Sequence, residues 1–178
     1  MIFIRRVVSF TGYLAFIMVI MSLQVGLLFL LPYPFNKVNV LFAVLSILVL
    51  LKDSGRIVWL AFLVHFLIDL YTVTPFGVVL SSGTVAFLMM YWLYRSLFTN
   101  RTIGAVLSIT AIGLTIYRLL YSLLFALTVQ FGASAAISWQ PLFIIYVWEM
   151  IFTLLITGIF YLGLLWFIPR FNVTLVKR

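Results

Sequence analysis

Four ionisable side chains in this sequence lie inside apolar runs: His65, Asp69, Arg118 and Glu149. A charged group at the centre of a membrane helix costs about 2.5–3.5 kcal/mol on insertion scales, so each of the four needs a partner or a task. His65 and Asp69 are four residues apart and share one helix face. Two carboxyl groups set against one guanidinium leave one negative charge, which a proton on a carboxyl or on His65 would balance. Three uses are open to such a set: a buried ion pair that fixes helix packing, a ligand or ion site, or a face that receives a partner protein's helix. His65 taken alone is expected to hydrogen-bond a neighbouring backbone carbonyl or to rest on Asp69. The chain has no second histidine and no cysteine, so neither a metal shell nor a cofactor is expected. It also lacks a phosphate-cradling glycine loop and a serine nucleophile elbow. Asp69 and Glu149 are the available acid pair, and Arg118 between them would favour two ionised carboxylates over an acid and a base. No catalytic residue is therefore expected, and the chain does not read as an enzyme.

Composition sets the elements that must position these residues. Of 178 residues, 66% are hydrophobic and 8% charged, with a mean hydropathy of +1.32; a soluble domain carries about a quarter charged. Lipid is the expected solvent. The net charge of +8 comes from basic residues scattered between apolar runs rather than gathered with aromatics on a wet face, so nucleic acid is not an expected partner. Arg5 and Arg6 precede an apolar run, 7–31, that is too long for the core of a signal peptide and reads as an uncleaved first span. Charged and turn-forming residues divide the whole into six apolar segments, 7–31, 38–51, 57–71, 76–98, 104–128 and 141–168. The second and third are short, at about 20 Å as helix, so they borrow flanking residues, sit in a thinned bilayer or fail to cross.

Charge placement favours crossing. With six spans and both termini cytoplasmic, the inner side receives Arg5, Arg6, Lys52, Arg56, Arg95, Arg101, Arg170, Lys177 and Arg178, and the outer side only Lys37. The expected fold is all-α, one transmembrane domain over residues 1–178, with Tyr33, Trp59, Tyr71, Trp92, Tyr94, Trp139 and Trp166 at the interfaces. The longest connection, 129–140, is uncharged and reaches the length at which connections begin to look functional. Small residues at packing spacing, Ser22 with Gly26, Ser82 with Ala86 and Gly104 with Ser108, let backbones approach. Pro141 is placed as a first-position helix proline.

The same frame gives depths. Asp69 lies about 18 Å above residue 57, Arg118 about 21 Å above residue 104, and Glu149 about 12 Å below residue 141, all in the outer half or near the midplane. Asp69, Arg118 and Glu149 could therefore cluster, with His65 one turn deeper, wherever their helices adjoin. Directly after Asp69, the stretch from Thr72 to Gly77 reads as a tight turn: Pro75 pushes Thr74 out of helix and Gly77 permits close approach.

The run Leu60-Ala61-Phe62-Leu63-Val64-His65-Phe66-Leu67-Ile68-Asp69-Leu70, leading into Thr74-Pro75-Phe76-Gly77, resembles MreD, the small integral membrane subunit of the bacterial rod-shape machinery. In that family an apolar run ends in an Asp-Leu pair before a short turn with Pro and Gly, and a small residue is more usual where His65 stands. The resemblance covers length and topology along the whole chain and motif over about 20 residues. It implies a non-enzymatic scaffold in the bacterial cytoplasmic (inner) membrane, multi-pass, binding the bitopic protein MreC. Through MreC it implies the peptidoglycan synthase RodA and its penicillin-binding partner, with actin-like MreB on the cytoplasmic side. It also implies a fold similar to the substrate-binding S components of energy-coupling factor transporters. An S component is the alternative: a vitamin or metal in an outward pocket that Asp69, Arg118 and Glu149 could serve, and docking onto a coupling subunit with two ATPases. The small-residue docking pattern of such a subunit is poor here, since Gly12, Ala15 and Ser22 do not repeat at a spacing of four. A small transporter of another kind is the remaining alternative.

Overall fold

The computed structural model describes residues 2–51, 55–97, 102–132 and 139–167, and within these the side chains from Ala15 to Trp166. Among them are six α-helices and no strand: α1 (Ile2–Leu30), α2 (Val40–Leu51), α3 (Arg56–Tyr71), α4 (Val78–Leu97), α5 (Ile103–Gln130) and α6 (Trp139–Phe167), with a 3-10 turn at Phe35–Lys37. Helix is what an apolar chain can form without water, because every backbone group is then paired within the segment. The helix ends fall where charged, proline and glycine residues interrupt the apolar runs. Three stretches are long and apolar enough to cross a membrane: Val78–Leu97, Ile103–Gln130 and Gln140–Trp166.

Helix α2 is short and central. Its sequence, VLFAVLSILVLL, is apolar all round, nine of its twelve residues are buried, and it touches each of the other five helices. Such a helix is enclosed by protein on most of its surface, with Val44, Leu48 and Leu51 on one face only partly buried. α3 packs chiefly on α4, and α5 on α4 and α6. At the centre, the Phe42 ring packs in tilted contact with Phe87 at 4.5 Å and Tyr117 at 5.4 Å between ring centroids, and the His65 ring lies 5.6 Å from that of Phe87. Buried hydroxyls join this core without a cost in unpaired groups. Ser46, Ser82, Thr110 and Thr157 each donate to the carbonyl four residues earlier, at 2.6–2.8 Å.

Several local expectations are corrected. Pro141 is the third residue of α6, not the first; it is tolerated because first-turn N–H groups have no intrahelical acceptor. Of the small-residue pairs, Ser82 with Ala86 is buried, whereas Ser22, Gly104 and Ser108 are exposed. Tyr94 leaves the interfacial set: it is buried, and its hydroxyl donates to the Leu50 carbonyl at 3.3 Å, covering the C-terminal end of α2. The connection 129–140, the side chain of Trp139, and Arg5, Arg6, Lys52, Arg101, Arg170, Lys177 and Arg178 lie wholly or largely outside the described residues.

Candidate functional site

The expected cluster divides in two. Arg118 and Glu149 meet, Nε donating to Oε2 in an ion pair between α5 and α6. A second tie between these helices joins the hydroxyls of Thr115 and Tyr146 at 2.9 Å. Arg118 also lies over the rings of Tyr117 and Tyr121, 5.5 and 5.6 Å from their centroids, so its flat guanidinium is held between a carboxylate and aromatic faces.

Asp69 takes another partner. Its two carboxylate oxygens accept the backbone N–H groups of Gly77, at 2.5 Å, and Val79, at 3.1 Å. These are at the start of α4, so the last turn of α3 caps the next helix, placing negative charge at the positive end of its dipole. The turn expected over Thr72–Gly77 makes this possible. Thr72 bonds back to the Asp69 carbonyl through its N–H and its hydroxyl, and Gly77 adopts φ +99°, a conformation that side chains disfavour. Replacing Asp69 by alanine is expected to cost about 2 kcal/mol, the upper end for a lost cap, because Val79 is buried and its freed N–H has no water to turn to. Thermal melting of the detergent-solubilised protein measures it; a loss no greater than that of Val73→Ala, at a fully exposed position, would show the cap to be idle.

His65 joins neither group. It is buried, and its Nδ1–H donates to the Ala61 carbonyl at 2.7 Å. Its ring lies against Gly83 of α4, where a Cβ would overlap it. Bulk on α3 is thus matched by its absence on α4. Among the described residues no three His, Cys, Asp or Glu side chains gather as a metal site.

Sequence reasoning missed the amides that complete the network. Asn39 precedes α2 and caps it, Oδ1 accepting from the Phe42 N–H at 3.0 Å, while Nδ2 donates to Glu149 Oε1 at 2.9 Å. Its own N–H donates to Thr153 Oγ1 at 3.0 Å. Gln24 reaches in from α1, Oε1 accepting from Val40 N–H at 2.8 Å and Leu41 N–H at 3.5 Å, Nε2 donating to the Val38 carbonyl at 3.0 Å. With the Ala43 N–H on the Asn39 carbonyl, all four leading N–H groups of a buried helix find acceptors, as a dry environment requires. The signals were an Asn directly before an apolar run and the one amide within 7–31; Thr153 carries none.

Beside this network lies a cavity of about 1050 Å³, bounded by α1, the 31–39 connection, α3, α5 and α6. Its lining includes His65, Arg118 and Glu149 but not Asp69.

A helical bundle with three helices long and apolar enough to cross a membrane, tied by a buried polar network, is compatible with a membrane protein. No family model, no curated protein and no solved structure matches the chain.

Proposed function

We propose that this chain is a non-enzymatic scaffold of the bacterial cell-shape and peptidoglycan-elongation machinery. It crosses the cytoplasmic membrane six times with both ends inside, and binds an MreC-like bitopic partner. The observation that carries this is the use made of Asp69, the residue on which the resemblance to MreD turns. Both its oxygens accept N–H groups in capping α4, which supports a part in building a helical hairpin over one in a reaction centre. Glu149 is likewise held on both oxygens, by Asn39 and Arg118. The distribution of Lys and Arg, nine residues against one, supports the topology. The outer face of α6 supports partner binding in lipid: Phe143, Val147, Ile151, Leu155 and Ile159 stand exposed at every fourth residue, a stripe against which a single apolar helix can pack by van der Waals contact. RodA and its penicillin-binding partner would be reached through the MreC-like protein.

The test is a mild-detergent pull-down of the tagged protein from its native membrane, with co-purifying proteins identified by mass spectrometry. A single-span coiled-coil protein arriving with a cell-wall synthase is the expected result. Paired ATPases with a coupling subunit would overturn it in favour of a transporter's S component.

A further inference from the structure

We infer that the cavity beside the Arg118–Glu149 pair is a binding site for an anionic amphiphile, a phosphate or carboxylate carried on an apolar body, whatever protein the chain assembles with. Charge on the wall is unbalanced. Two cationic side chains, Lys37 and Arg118, line the cavity against one carboxylate, Glu149, and that carboxylate already holds a donor on each oxygen. Among the described residues Arg118 is bonded only through Nε, so its terminal Nη groups offer donors in the fork geometry that suits phosphate and carboxylate. The Lys37 ammonium has no ion-pair or hydrogen-bond partner among the described residues. The acceptor side is also open: Asn36 Oδ1, in the same lining, is a buried oxygen with no donor among the described residues, and a hydroxyl beside the anionic group would satisfy it. Much of the lining is apolar, with α1 contributing residues such as Met21, Val25 and Phe29. At about 1050 Å³ the space far exceeds what an inorganic anion fills and stands at the upper end of pockets that enclose whole organic ligands.

The ligand can come from the bilayer, as a phospholipid with a hydroxylated anionic headgroup, or from solution. Both sources are tested on the intact chain, delipidated in non-ionic detergent and examined by native mass spectrometry. Phosphatidylglycerol and phosphatidylcholine of identical chains are offered in turn, and octyl phosphate serves as the soluble probe. Phosphatidylglycerol is expected to be retained about tenfold better than phosphatidylcholine, the effect of one charge-assisted hydrogen bond. Lys37→Gln, which breaks no ion pair or side-chain hydrogen bond among the described residues, and the neutral double variant Arg118→Gln with Glu149→Gln should each erase most of that preference. Octyl phosphate binding with the same dependence on the variants, without phosphatidylglycerol binding, would support the site and place its ligand in solution. Equal retention of the two lipids with no octyl phosphate bound overturns the proposal, and so does a preference that both variants leave intact. Neither result bears on which proteins the pull-down recovers.

Discussion

Glu149→Ala is expected to destabilise the protein by about 3–5 kcal/mol, the cost of removing one member of a buried ion pair. Glu149 is 3% exposed, and three things fail together when it goes. Arg118 keeps its charge between α5 and α6 without a counter-ion, the Asn39 amide loses its acceptor, and with it the start of α2 loses one of its two hydrogen bonds to α6, only that of the Asn39 N–H to Thr153 Oγ1 remaining. Since α2 touches every other helix, loosening its end loosens the bundle. The measurement is the fraction of detergent-solubilised protein that stays monodisperse on heating. Arg118→Gln with Glu149→Gln is expected to recover most of the loss, because two amides can still bond each other and Asn39 without a buried charge. A double variant as fragile as Glu149→Ala would show that uncompensated charge is not the cause. Exchanging Asp69 with Arg118 should rescue nothing, because Asp69 holds backbone N–H groups instead.

The second large effect is at Gly83. An alanine there would drive its methyl into the His65 ring, overlapping Cγ, Cδ2 and Nε2. The ring cannot swing aside: Nδ1–H holds the Ala61 carbonyl, and Phe42, Phe87 and Tyr117 surround it. Gly83→Ala is expected to cost about 3 kcal/mol, the upper end for overpacking a rigid core. Gly113→Ala is the comparison. There the added methyl meets Met90, whose unbranched thioether can repack, so about 1 kcal/mol is expected. Melting of both variants separates the cases, and equal losses would contradict the account. In a His65→Ala background Gly83→Ala should cost little more, the signature of direct coupling in a double-mutant cycle.

The sequence by itself determined the helices and their approximate ends. In an apolar chain each segment must pair its own backbone groups, so the interruptions, such as Pro32 to Lys37 and Thr72 to Gly77, mark the boundaries without knowledge of the fold. It also brought Arg118 and Glu149 to one depth, because the rise per residue of a helix is fixed. Partners were another matter. Depth places Asp69 beside Arg118 equally well, and only the packing of α3 on α4 turned its carboxylate to the N–H groups of Gly77 and Val79. Gln24 and Asn39 are neutral amides, with no charge to mark them as costly in an apolar run, yet they satisfy the first turn of α2. The burial of α2, the fit of His65 to Gly83, and the cavity between α1 and the Arg118 pair likewise belong to the tertiary structure. Each depends on which helices become neighbours, which the pattern along one helix does not encode.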